Sequence, residues 1–214
     1  VSGKMLKPLE NEDYLSVVTT SISGNKSDKF IEQKLLHDTW ISKNGEIINQ
    51  LSITRAHTWS SKILWQWRNI LSEFGFAEMS ETVKDILGRG QNKSVVRAYI
   101  PKGSEILETT SVPGIEKKYD ETLDREYFIF RMEVAQGEEE TATIDYKPPF
   151  KLKFSPLLTY KLNVQKQPGN TNTTLVKQIS GDHLANRKNF PESAKPEYEL
   201  ELNEDMYFES VWGE

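Results

Sequence analysis

Three histidines are the residues of this chain with the most versatile side-chain chemistry. They are His37, His57 and His183, with Asp38 beside the first and Asp182 beside the last. His37 and His57 lie in one predicted hairpin, where the two rings could face each other. A zinc site needs three or four converging ligands, and a pair of cross-strand histidines does not supply them. The Asp182–His183 pair resembles part of a catalytic dyad, but no serine lies in a nucleophile-elbow context. We therefore predict no metal site and no catalytic residue.

Acidic clusters occur at residues 138–140 and 203–205, and both are predicted to be solvated turns. Neither has the ligand spacing of an EF-hand loop. Two carboxylates for glycoside hydrolysis are paired only in three dimensions, so a cell-envelope hydrolase stays open as an alternative. The chain has no G-x-G-x-x-G or Walker loop, since Gly88 and Gly90 form a helix stop. We predict no cofactor.

The amino-acid composition excludes some kinds of chemistry and disfavours some kinds of binding partner. The chain of 214 residues has no cysteine and a net charge of −5. Disulfides and thiolate chemistry are therefore excluded, and binding to nucleic acid is disfavoured. No apolar run reaches the roughly 20 residues that span a bilayer, and the first residues lack a secretory core. We expect contact with a membrane only through a segment upstream of Val1.

A group of aromatic residues is the strongest candidate for partner binding. It consists of Trp59, Trp65 and Trp67, followed by Arg68. Trp67 lies on an apolar helical stripe and is predicted to be core, whereas Trp65 lies off that stripe. An exposed aromatic side chain can stack on a sugar or anchor a protein. The alternative is that Trp65 packs where the helices cover a sheet edge.

The elements that position these residues are mostly strands. Tyr160, Leu162 and Val164 alternate with polar residues, which is typical of a half-buried strand, and Pro168–Gly169 ends it. Alternation, or a content of β-branched and apolar residues, predicts strands in these ranges: 15–22, 34–41, 46–59, 93–100, 125–134, 141–147, 174–180, 198–202 and 206–212. Asn44–Gly45 predicts a hairpin turn. Residues 111–124 and 181–195 are predicted to be loops.

Residues 60–91 interrupt the strand pattern. Apolar residues recur there at helical spacing after Ser60 and Ser61, and Ser80 begins a second, shorter helix that Gly88 and Gly90 end. Regularly spaced strands with one helical interruption favour a mainly β fold. We predict an antiparallel β-sandwich, with the immunoglobulin type as one option. It would form a single domain over residues 1–214, with a helical hairpin inserted at about 60–91.

Four short motifs resemble a bacterial family of membrane-anchored extracytoplasmic proteins of unknown function. They are LSVV at 15–18 with SGNK at 23–26, ITRAH at 53–57, VRAYIPKGS at 96–104 and YKLNVQKQPG at 160–169. The resemblance implies an extracytoplasmic location at a bacterial cell surface, with this chain as a C-terminal β-rich part. It offers no catalytic residues, and the helical block 60–91 departs from its pattern. The best family marker is Lys166, Gln167, Pro168 and Gly169, which we predict to form a turn between strands.

Together these observations favour a non-catalytic, extracytoplasmic module for cell-surface structure or interaction. The expected partner is a protein or a cell-envelope glycan, bound through the helical insertion. A carbohydrate-binding module that uses exposed aromatic rings is the first alternative. A cell-envelope hydrolase is the second.

Overall fold

Twelve strands make up most of the part of the chain that the structure describes. The structure is a computed structural model and describes residues 7, 9–76, 78–110, 112–153, 157–182 and 197–212. The strands are β1 (Asp13–Ser21), β2 (Ile31–Ile41), β3 (Ile47–His57), β4 (Asn92–Ile100), β5 (Glu105–Thr110), β6 (Glu116–Asp120), β7 (Arg125–Val134), β8 (Glu139–Lys147), β9 (Leu158–Val164), β10 (Thr173–Gly181), β11 (Glu197–Glu201) and β12 (Met206–Trp212).

The strands form two six-stranded sheets that pack against each other. The first sheet has the order β12-β9-β1-β4-β7-β6, and the second has the order β11-β10-β2-β3-β8-β5. Each strand of the first sheet occupies the same position in its sheet as a strand next to it in the chain occupies in the second sheet. For example, β1 corresponds to β2, and β4 corresponds to β3. Most neighbours are antiparallel, but β1 runs parallel to β9 and β2 runs parallel to β10. The predicted mainly β sandwich is confirmed. The sheets are mixed and not purely antiparallel as predicted, because each contains one parallel pair.

Period-two alternation places the core between the sheets, as predicted. On β3, Ile47, Leu51 and Ile53 are fully buried. On β7 the side chains of Phe128, Phe130, Met132 and Val134 are buried, while the residues between them are not. Full burial of such a side chain contributes about 1.5–3 kcal/mol to the free energy of unfolding. A one-residue slip of a strand would expose these side chains, so their burial stabilises the register.

The predicted helical interruption between β3 and β4 is confirmed. Helix α1 spans Ser61–Glu73 and α2 spans Glu81–Lys84, followed by a π-helical turn at Asp85–Arg89. The Ser80 hydroxyl caps α2 by accepting from the backbone N–H of Val83 at 3.3 Å. No helix in the described residues is long and apolar enough to cross a membrane.

One predicted loop is wrong. Residues 111–124 contain β6, which pairs with β7 at the edge of the first sheet. Four of the five β6 side chains are exposed, so the strand lacks the apolar alternation on which the prediction relied. The predicted loop at 181–195 falls almost wholly outside the described residues, and His183 lies there too.

Candidate functional site

Several of the connections that cross between the sheets meet at one end of the sandwich. Ser21 of β1 pairs with Ser94 of β4, and Ile31 of β2 pairs with His57 of β3. These pairings place the β1–β2 connection (residues 22–30) and the helical segment (residues 58–91) at the same end. Because β9 and β10 run parallel to β1 and β2, the β9–β10 loop (residues 165–172) lies there as well.

The helical segment is anchored to the sandwich at its base. Trp59 is only 3% exposed, and its ring meets Phe30 edge-on at a centroid distance of 4.7 Å. The backbone N–H of Trp59 donates to His57 Nδ1 at 3.3 Å. That bond leaves the ring proton on Nε2, which lies 3.2 Å from the carbonyl oxygen of Gly90. His57 therefore joins the two ends of the segment and has a structural role.

The π-helical turn packs closely on the same aromatic residue. Gly88 has a φ of +129°, and a Cβ at this position would lie 2.3 Å from the Phe30 ring. Arg89 forms an ion pair with Asp85 at 2.6 Å and another with Glu81. In addition, the backbone N–H of Lys26 donates to the carbonyl oxygen of Ile86 at 3.0 Å. This end of the segment is thus firmly attached.

Helix α1, in contrast, contains no buried residue. Its apolar positions follow one face at helical spacing. We call this face the apolar stripe, and its members are Ile63, Leu64, Trp67, Ile70, Leu71 and Phe74. Ile70 is 47% exposed and Phe74 is 73% exposed. The other four members, Ile63, Leu64, Trp67 and Leu71, are half-buried. The apolar stripe is therefore only partly covered, and its exposed members are Ile70 and Phe74.

Four residues are predicted from the sequence to bind a partner: Trp59, Trp65, Trp67 and Arg68. The fold places them in different environments. Trp59 is buried against Phe30, so it is not available to a partner. Trp67 is half-buried, and its predicted place in the core is wrong because α1 has no fully buried residue. Trp65 is 63% exposed and Arg68 is exposed. At 100° per residue, Trp65 points away from the apolar stripe.

A polar cleft with a volume of about 610 Å³ lies at this same end of the sandwich. It is formed by β1, β2 and β3 together with residues 28–29 and the β9–β10 loop. Its lining residues are Thr19, Asp28, Lys29, Ile31, Gln33, Arg55, Gln167, Pro168, Gly169, Asn170, Thr171 and Asn172. Volumes of a few hundred Å³ are typical of small-molecule sites.

Arg55 is the buried cation of this cleft, with a side chain only 3% exposed. Its Nη1 donates to Gln33 Oε1 at 3.0 Å and its Nη2 donates to Asn92 Oδ1 at 3.1 Å, and both acceptors are neutral. The Asp28 carboxylate is more distant, at 3.8 Å from Nη2. Burial lowers the pKa of Arg55 to about 10, and the charge of Asp28 opposes that shift. The guanidinium therefore stays charged at neutral pH.

Three of the four family-marker residues, Gln167, Pro168 and Gly169, line the rim of the cleft. The Gln167 side chain bonds the backbone of Thr19 twice: Oε1 accepts from its N–H at 2.8 Å, and Nε2 donates to its carbonyl oxygen at 2.9 Å. Pro168 and Gly169 follow in a turn, while the backbone N–H of Lys166 donates to Asp205 at 2.9 Å. Gln167 therefore holds the rim against β1.

Sequence reasoning did not find this cleft, although one signal was present. Arg55 alternates with Ile53 and His57 on the buried face of β3. An arginine at an apolar position of a strand indicates either an internal ion pair or a site. Its cleft partners are distant in sequence, which is why the cleft became visible only in the fold.

A second polar group lies inside the sandwich, away from the cleft. His37 is fully buried, and burial lowers its pKa well below the ordinary value. Its Nε2 is 3.0 Å from the hydroxyl of Tyr146. The predicted meeting of His37 and His57 is wrong, because His37 pairs with Leu51 and His57 pairs with Ile31. In the described part of the chain, no group of three or more histidine, aspartate or glutamate side chains could hold a metal ion.

Comparisons with known proteins identify no family for the chain. No protein-family model matches it, and no curated protein matches it either. One solved structure that resembles it is a candidate nutrient-binding protein from Legionella pneumophila. That alignment covers 94% of this chain and 71% of the other at 9% sequence identity, with a TM-score of 0.48. We draw no functional conclusion from a likeness at this level.

Proposed function

We propose that the protein is a non-catalytic binding module of the bacterial cell surface, and that the apolar stripe of α1 engages a protein partner. The location follows from the motif resemblance described above. The single observation that carries the binding role is the exposure of α1: a 13-residue amphipathic helix has no buried residue. Such a helix can bind in an apolar groove on another protein. Grooves of this kind contact apolar side chains at positions i, i+3, i+4 and i+7 of the helix.

The energy available to such a partner is substantial. Ile70 and Phe74 lie one turn apart on the stripe, and about half or more of each side chain is in solvent. Covering apolar area contributes about 25 cal/mol per Å². If a groove buries both side chains, these two residues would supply most of the binding free energy and form the hot spot of the interface.

The charges of the helical segment favour a protein over a lipid surface. Helices that lie on membranes carry an excess of lysine and arginine. Residues 61–90 contain four cations, Lys62, Arg68, Lys84 and Arg89, and four anions, Glu73, Glu78, Glu81 and Asp85. The segment is therefore neutral and lacks the electrostatic attraction to anionic lipid.

The test compares two faces of α1. The Ile70→Ala/Phe74→Ala double variant removes anchors from the stripe, and Trp65→Ala is the matched control on the other face. Each protein is immobilised and exposed to bacterial envelope extract, and captured proteins are identified and then tested in purified form. We expect a protein that binds the wild type and Trp65→Ala alike and binds the double variant at least about tenfold more weakly. Equal binding by the double variant would contradict the proposal.

Carbohydrate binding is the second candidate, because Trp65 is 63% exposed. The same variants separate the two functions. A glycan that stacks on Trp65 would be lost in Trp65→Ala and retained in the double variant. A hydrolase has less support: the cleft, as described, contains only Asp28 as an acidic residue, whereas two carboxylates are usual in glycoside hydrolases.

A further inference from the structure

We infer that the cleft at the end of the sandwich binds a small hydroxylated monocarboxylate, such as a sugar acid, with Arg55 and Lys29 as its cationic contacts. This site is separate from the apolar stripe, and the inference does not depend on the proposed function. It rests on the charge balance around Arg55 and on the polar character of the lining.

The first argument is that Arg55 lacks a close anionic partner. A buried charge is costly unless it is paired and hydrogen-bonded. Its two Nη atoms donate to the neutral side chains of Gln33 and Asn92, and its buried Nε has no hydrogen-bond partner in the described residues. Asp28 is 3.8 Å away, is 47% exposed, and already accepts from Asn92 Nδ2 at 2.8 Å. A ligand carboxylate would supply the missing negative charge.

Lys29 adds a second cation at the mouth of the cleft. It lies on the short 3-10 turn at Ser27–Phe30 and is exposed. The part of the chain described by the structure offers it no salt-bridge partner. Arg55, Lys29 and Asp28 together give the lining a net charge of +1. One carboxylate neutralises that charge, whereas a doubly charged phosphate would exceed it.

The rest of the lining is suited to hydroxyl groups. It contains two threonine hydroxyls and four side-chain amides: Thr19, Thr171, Gln33, Gln167, Asn170 and Asn172. Such groups both donate and accept hydrogen bonds, as a sugar hydroxyl does. Ile31 and Pro168 are the apolar members. A hydroxylated acid fits this combination better than an apolar fatty acid.

The test is a titration of the full chain with sodium glucuronate, with glucose as the uncharged counterpart and inorganic phosphate as the alternative anion. Binding is followed by calorimetry and by backbone NMR shifts. We expect glucuronate to bind, with shifts at residues 28–33 and 167–172, and to bind more weakly as salt rises. Glucose and phosphate should bind at least about tenfold more weakly than glucuronate. Absence of glucuronate binding, or equal or tighter binding of either other compound, would overturn the inference.

Variants locate the site. Lys29→Gln should weaken glucuronate binding about tenfold, and Lys34→Gln is its control, an exposed lysine on β2 outside the lining. If circular dichroism shows that the Arg55→Gln variant folds, this variant should not bind glucuronate. If it does not fold, the Lys29→Gln variant alone decides the test. Equal binding by Lys29→Gln and the wild type would count against the site. The Ile70→Ala/Phe74→Ala variant should bind glucuronate normally, so failure of the stripe and failure of the cleft are distinguishable.

Discussion

The hydroxyl of Tyr160 donates to Asp13 Oδ2 at 2.7 Å, and this bond joins β9 to β1 in the interior of the sandwich. Asn49 Nδ2 donates to the same oxygen at 2.7 Å from the opposite sheet. Burial raises the pKa of Asp13, and these hydrogen bonds oppose the shift. The two sheets are thus connected by a polar group inside the sandwich.

Tyr160→Phe should lower the free energy of unfolding by about 1–3 kcal/mol, because Asp13 would lose a buried donor without gaining another. Urea denaturation measures the change. Tyr198→Phe is the control, since Tyr198 is 51% exposed, and it should alter stability by less than about 0.5 kcal/mol. Similar effects of the two substitutions would show that the Asp13 bond contributes little.

Lys177 should make stability depend on pH. Burial lowers its pKa to about 7, whereas an unfolded lysine titrates near 10.4. Between these values the unfolded chain binds more protons than the folded chain, so the free energy of unfolding rises with pH from about 7 to about 10. Denaturation of the wild type and of Lys177→Met across this range checks the prediction. The difference between the two proteins should change with pH, and a constant difference would contradict it.

Gly88→Ala should destabilise the base of the helical segment by more than about 2 kcal/mol. The new Cβ would overlap the Phe30 ring, and the residue has a φ of +129°. Gly75→Ala is the matched control, because Gly75 has a φ of +80° with no atom within 4 Å of the added Cβ. It should cost about 1 kcal/mol through backbone strain alone. Thermal unfolding of both variants distinguishes overlap from strain.

The Ile70→Ala/Phe74→Ala variant should leave the free energy of unfolding nearly unchanged, within about 0.5 kcal/mol, because both side chains are exposed. Ile53→Ala removes a fully buried side chain and should cost about 2–5 kcal/mol. Guanidinium denaturation of the two proteins makes the comparison. A large loss in the double variant would mean that α1 packs on the sandwich in solution.

The local pattern predicted most elements because each pattern reports a local geometry. Alternation through Tyr160, Leu162 and Val164 predicted β9, and the helical spacing from Ile63 to Phe74 predicted α1. The pattern failed at β6, where an edge strand is exposed on both faces. It also misplaced His37 and His57, because the register of the hairpin separates them by several residues along the strands.

The sequence alone determined that the protein is a β-sandwich with a helical segment between β3 and β4, since periodicity defines both the type of element and its apolar face. Tertiary structure decided the rest. Periodicity shows that α1 has an apolar face but does not show whether anything covers it. The parallel pairs β1–β9 and β2–β10 join strands that are far apart in the chain, and they bring Arg55 together with the loop after Val164. The cleft therefore depends on long-range pairing, which no local pattern encodes.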